Sequence, residues 1–100
     1  MIFNKTKPKT SNSNLVAVFS ALGDKTRFNL LGMLAKNEDI CVSELANEIG
    51  ISNAGVSQQL KILEQAGLVE RNRKGQKICY VLREDDELNK QILSLIDTES

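Results

Sequence analysis

One hundred residues with 41% hydrophobic and 26% charged side chains suffice for one ordered domain and leave no room for a second. The formal net charge is zero, histidine is absent, and the only cysteines are Cys41 and Cys79, which excludes Ser-His and Cys-His catalysis, imidazole-ligated metal centres and a disulfide scaffold. There is no apolar run of membrane-spanning length, no Gly-rich phosphate loop or other cofactor motif, and no apolar signal stretch in the polar residues 1–14, so a cytoplasmic, non-enzymatic protein without cofactor or metal is expected.

Residues 1–13 hold Lys5, Lys7, Lys9 and the only proline, Pro8, among Ser, Thr and Asn. They are expected to form a flexible basic arm ahead of a single domain at 14–100. Leu15, Phe19 and Leu22 recur at i, i+4 and i+7, one face of a short helix ended by Gly23. Asp24 is placed to cap a second helix carrying Phe28, Leu31 and Leu34, with Leu30 beside them. After the break at 37–39, Ile40, Cys41 and Val42 form a brief extended stretch. Ser43 and Glu44 then open a third helix with Leu45 and Ile49 on one face, closed after about two turns by Gly50.

Ser52 is a good N-cap for a fourth helix over residues 53–66, with Val56, Leu60 and Leu63 as its buried row. The short helix, the turn at 50–52 and the longer helix make a helix-turn-helix. Gly50 supplies the left-handed backbone of the sharp exit, and Ile51 is expected to pin the turn into the core. Leu68 to Arg73, a turn at Lys74-Gly75 and Lys77 to Leu82 predict a β-hairpin, Ile78, Tyr80 and Leu82 marking the half-buried face. Leu88, Ile92 and Leu95 mark a last helix, with acidic residues before its first turn. The expected fold is mainly α with a small β-hairpin, a winged helix-turn-helix.

The neutral total hides a basic block: residues 53–83 carry six basic side chains against two acidic ones, and residues 84–100 carry one basic against six acidic. The fourth helix presents Asn53, Ala54, Ser57, Gln58 and Gln59 near its start, a set of short and amide side chains suited to base edges in a major groove. Gly55 is expected to remove bulk at the closest approach. Lys61 can reach phosphate from the same helix. Arg71, Arg73, Lys74 and Lys77 flank the hairpin turn, where a wing can lie along phosphates or the minor groove. Ser52 to Lys61 and these four wing residues are the candidate DNA-binding set. A polar solvated face, or a winged helix that binds only protein, is the competing reading. A protein-binding face, however, should show exposed apolar or aromatic anchors.

Leu22 to Arg27, Cys41 to Ala46, Ile51 to Lys61, Ala66 to Val69 and the wing from Gly75 to Leu82 together resemble the ArsR/SmtB winged-helix repressors, from roughly residue 14 to the end. The resemblance implies a homodimeric transcriptional repressor released from double-stranded DNA by an effector whose identity stays open. It also implies a dimer interface on the first and last helices, Leu15, Phe19, Leu22, Leu88, Ile92 and Leu95, whose apolar rows a small single core does not fully cover. A two-fold dimer implies an imperfectly palindromic operator. The chain departs from the family at its metal sites. The last-helix site lacks histidine and retains only Asp85, Asp97 and Glu99, which suit hard cations. Of the Cys-x-Cys at the third helix, Cys41 matches the first cysteine and Ser43 replaces the second. In winged helices the stretch before the helix-turn-helix often pairs with the second wing strand, which sets Cys41 beside Cys79. If Ile78, Tyr80, Leu82 and Val42 point inward, strand alternation turns both cysteines to the outer face. A redox-sensing pair and two inert thiols are both open readings.

Overall fold

The computed structural model describes residues 12–37 and 39–99. Five helices and a small sheet follow in the order α1 (Asn12–Leu22), α2 (Lys25–Lys36), β1 (Ile40–Cys41), α3 (Val42–Ile49), α4 (Asn53–Gln65), β2 (Val69–Lys74), β3 (Lys77–Leu82) and α5 (Glu87–Glu99). Asn12 and Ser13 therefore belong to α1 and not to the expected arm, the rest of which lies outside the described residues apart from these two.

The helix boundaries have local causes. The Asp24 carboxylate accepts from the Arg27 backbone N–H at 3.2 Å and caps α2. Glu44 reaches back to accept from the Cys41 backbone N–H at 3.0 Å, so α3 opens at Val42 with Cys41 as its N-cap, one residue earlier than expected. Gly50 closes α3 at φ 89°, a conformation that L side chains disfavour. Its N–H bonds the Ala46 carbonyl at 2.8 Å. Ser52 Oγ accepts from the Gly55 N–H at 3.0 Å and starts α4.

One expectation about this turn is corrected. Ile51 is 40% exposed and does not plug the core. It covers the outside of the turn instead, and a Cβ at position 55 would come within 3.2 Å of Ser52 Oγ and 3.5 Å of Ile51 Cδ1. The small residue at 55 thus accommodates the protein's own turn, whatever approaches from outside.

The sheet is antiparallel in the order β1-β3-β2. Ile40 lies opposite Tyr80 and Cys41 opposite Cys79; on the other side Val69 lies opposite Leu82 and Lys74 opposite Lys77. β3 is central, and α2 and α3 both pack near it. Cys79 is consequently fully buried (0% exposed) and Tyr80 is buried at 4%, while Ile78 and Leu82 are only half-buried. The outward Cys79 expected from alternation is corrected: a central strand covered by helices and joined to Cys41 by a disulfide has no solvated face at that position.

The core is built from Val18 of α1, Leu30, Leu31 and Leu34 of α2, Leu45 of α3, Val56, Leu60 and Leu63 of α4, Leu68, Tyr80 and, from α5, Ile92, Leu93 and Ile96. One buried polar side chain stands among them. Asn89 donates its amide to the carbonyls of Gly67 at 2.8 Å and Arg83 at 3.0 Å, tying α5 to both ends of the hairpin.

The terminal helices divide their apolar residues differently from the expected rows. In α1 the core-facing residues are Val18 and Ala21; Phe19 is 61% exposed, Val16 67% exposed, and Leu15 and Leu22 are half-buried. In α5 the expected interface residue Ile92 is only 6% exposed and belongs to the protomer's own core. Leu88 is half-buried and Leu95 is 68% exposed. Apolar spacing at i, i+4 and i+7 marks a face but not which neighbour covers it.

Candidate nucleic-acid interface

The burial of Val56, Leu60 and Leu63 fixes the rotation of α4. The opposite side then carries Asn53, Ala54, Ser57, Gln58 and Lys61, all exposed, with Ser52 exposed just ahead of the helix. Ser52 has a structural task as well, since its hydroxyl caps the helix. This face has no apolar anchor larger than Ala54 until Ile62, which is 37% exposed.

Gln59 stands apart from this set. It is half-buried, and its Oε1 accepts from Arg27 Nη1 at 2.8 Å. Arg27 Nε donates in turn to the Ala21 carbonyl at 2.7 Å. One guanidinium thus joins the end of α1, the start of α2 and the middle of α4. Sequence reasoning did not find this bridge, because the partners are 32 residues apart and neither is unusual alone.

The β2–β3 hairpin stands beside α4 as the wing. Arg71, Arg73, Lys74 and Lys77 are exposed. Lys74 pairs with Asp39, which anchors the wing to the segment before β1. Arg73 Nε donates to the Gly75 carbonyl at 3.3 Å, holding that guanidinium over the turn. Arg83, part of the basic block in sequence, is engaged within the chain. Its Nη2 donates to Asp85 at 3.1 Å. That hydrogen bond, followed by the charge attraction, raises the guanidinium above its usual value, and the hydrogen bond from Arg83 holds the Asp85 carboxyl below the usual carboxylate range. On the inner side of the wing, burial pushes the Tyr80 phenol up, with the charge of Glu64 adding and that of Arg71 opposing. The ring is therefore a neutral core group.

Between the start of α4 and the wing lies an open cleft of about 350 Å3 lined by Cys41, Val42, Ser43, Asn53, Ser57, Gln76, Lys77 and Ile78. Gln76, in the wing turn, was not singled out from the sequence; only the hairpin geometry brings it opposite Asn53 and Ser57. The arrangement combines neutral hydrogen-bonding side chains on a protruding helix with cations on an adjacent ribbon. The first group suits base edges and the second suits phosphates. Among the described residues no group of three or more His, Cys, Asp or Glu side chains is placed to hold a metal ion, and no helix is long and apolar enough to cross a membrane. Of the family's acidic last-helix positions, the side chains of Asp97 and Glu99 lie outside the described set.

Residues 24–71 match the family model described as bacterial regulatory protein, arsR family. An uncharacterized HTH-type transcriptional regulator of Methanocaldococcus jannaschii is 34% identical over 80 residues, covering 80% of this chain and 88% of that protein. The transcriptional repressor SdpR of Bacillus subtilis is 40% identical over 65 residues, covering 65% of this chain and 71% of SdpR. Among solved structures, HlyU from Vibrio cholerae superposes with a TM-score of 0.77 at 25% identity, covering 92% of this chain and 97% of HlyU. The capped helix-turn-helix, the basic wing and these relatives agree, and the chain belongs to the ArsR family as a DNA-binding transcriptional regulator with the winged helix-turn-helix fold.

Proposed function

We propose that the protein is a repressor that binds an imperfectly palindromic operator as a homodimer in the cytoplasm, with residues 14–100 as the unit that binds and dimerises. The observation that carries this reading is the outward half of α4, where Asn53, Ala54, Ser57 and Gln58 are exposed while Val56, Leu60 and Leu63 hold the helix in place. Asn53 and Gln58 supply amides that match adenine, Ser57 a hydroxyl that suits several base edges, and Ala54 a methyl for thymine. Ser52 caps the helix and sits at its positive end, where a phosphate is favoured. Lys61, Arg71, Arg73, Lys74 and Lys77 hold the phosphates on either side. Gln59 acts through Arg27 and sets the position of α4 without touching DNA.

The homodimer reading rests on exposed Val16 and Phe19 of α1 and Leu95 of α5, large apolar side chains that the protomer leaves uncovered. Two-fold pairing there would present two copies of α4 to successive major grooves, about 34 Å apart. The repressor sense is supported by the similarity to SdpR, which is named a repressor.

Duplexes selected from a random pool test the reading. Gln58→Ala should lose about 1–3 kcal/mol of preference at one position of each half-site. Arg73→Ala should weaken all duplexes alike and flatten the dependence on salt. Parent-like binding by both variants, or no enriched sequence at all, would overturn it in favour of a protein-binding module.

A further inference from the structure

The disulfide between Cys41 and Cys79 joins two parts that DNA binding must keep in register. Cys41 is the last residue of β1 and the N-cap of α3, the first helix of the helix-turn-helix. Cys79 lies in the middle of β3, the strand that carries the wing. Only two residue pairs connect β1 to β3, and one of them is the bridged pair itself, whereas six pairs hold β3 to β2. The backbone pairing between the hairpin and the start of the helix-turn-helix is therefore short, and the disulfide cross-links the two at that point, beside the Lys74–Asp39 ion pair and the core contacts of Val69 and Tyr80.

Access to the bridge is one-sided. Cys79 is fully buried. Cys41 is half-buried and lines the cleft that also contains Asn53, Ser57, Gln76 and Lys77. Cys41 is thus the more accessible of the two cysteines, and it is approached through the cleft between the start of α4 and the wing. Lys77 places an ammonium group at the same opening, which favours an anionic attacking thiolate.

We propose that Cys41–Cys79 is a thiol–disulfide exchange site for low-molecular-weight thiols, that its reduction loosens the wing and weakens DNA binding, and that bound DNA shields it. A thiolate attacks Cys41 Sγ, forms a mixed disulfide there and releases Cys79 as a thiolate, which takes up a proton. A second thiol, as its thiolate, attacks the outer sulfur of the mixed disulfide, departs as the symmetrical small-molecule disulfide and frees Cys41, which takes up the second proton. Two electrons and two protons pass from two small thiols to the protein. The reverse exchange with the small-molecule disulfide restores the bridge. In the reduced protein the wing and α4 must be aligned on the DNA itself, and the ordering cost lowers affinity. Only the shielding and affinity effects rest on the DNA-binding reading; exchange at Cys41 does not.

The test uses the full chain and a duplex selected from a random pool. Oxidised protein is exposed to reduced glutathione, free and saturated with duplex, and newly formed thiols are trapped with a maleimide and counted by mass. Both cysteines should be labelled in the free protein, and labelling should slow several-fold with duplex bound. Oxidised protein should bind the duplex several-fold more tightly than reduced protein. Cys41→Ser, which keeps a good N-cap while cutting the bridge, should match the reduced affinity and ignore glutathione; Cys79→Ala cuts the same bond from the other side should the first variant fail to fold. Equal labelling with and without duplex overturns the shielding. Equal affinities of oxidised, reduced and bridge-cut proteins, with sequence-specific binding intact, overturn the switch alone. No specific duplex in either redox state overturns the DNA-binding reading, and the switch with it.

Discussion

The helix-turn-helix and the terminal helices dispose of their apolar residues in different ways. In α3 and α4 the buried row is covered inside the protomer: Leu45, Val56, Leu60 and Leu63 are all at 0% exposure, and the opposite side is polar. In α1 and α5 the large apolar residues are split, with Val18, Ile92 and Ile96 turned inward and Val16, Phe19 and Leu95 left in solvent. The first arrangement makes a rigid object whose outer face is free for another task. The second leaves work for something outside the protomer.

The largest effect should come from the inside of this contrast. Leu60→Ala should destabilise the protomer by about 2–5 kcal/mol, the range for large-to-small changes at fully buried sites, as measured by denaturant unfolding. A loss under 1 kcal/mol would mean that the α4 row is not the keystone of the core. Next, Arg27→Lys should cost about 1–3 kcal/mol, because lysine has no fork to reach both the Ala21 carbonyl and Gln59. Urea midpoints of Arg27→Lys and Gln59→Ala, alone and together, would show whether the two act as one unit.

Leu95→Glu and Phe19→Glu sharpen the other side. Each should change protomer stability by only about 0.5 kcal/mol, as expected at exposed sites, yet shift the sedimenting species to the 11.1 kDa monomer. A dimer that survives both changes would place its interface elsewhere. Ile92→Glu is the counter-example: it should unfold the protomer rather than merely dissociate it. The smallest effect is electrostatic. Asp85 is depressed in the folded state by Arg83, so its contribution to stability is present above its unfolded pKa and disappears as the pH falls through the lower folded value. Asp85→Asn should leave melting at pH 7 nearly unchanged, given the pair's exposure, and should remove only the part of the acid dependence due to that residue. Thermal melting from pH 2 to 7 would show it.

The helix-turn-helix was legible in the sequence because its signals are local. Ser52 caps, Gly50 turns, and the Val56/Leu60/Leu63 row has a single period and a single neighbour. The wing was legible from Gly75 between two strands. Four features were not, and all four depend on distant partners. The choice between Ile92 and Leu95 as the inward residue of α5 depends on where α2 runs. The burial of Cys79 depends on β3 being central in the sheet. The engagement of Gln59 depends on Arg27, which is fixed by its own bond to α1. Asn89 belongs with them: nothing in the spacing of α5 marks a buried amide whose partners are the carbonyls of Gly67 and Arg83. The candidate interface residues of α4 were visible as an absence of the usual lysine and glutamate on an exposed helical face. Gln76 opposite them was not, since a turn residue carries no period.

The sheet order β1-β3-β2 leaves β2 at an edge, with one side of its backbone unpaired among the described residues. Such an edge is a template on which another copy can add a strand, and proteins guard against it with charge. Five consecutive exposed residues of β2, Glu70 to Lys74, include two arginines, a lysine and a glutamate. The cations that suit phosphate also keep one molecule's wing from zipping onto another's. Stripping them to weaken DNA contact would therefore leave a six-residue bare edge, and such a variant should precipitate before it unfolds.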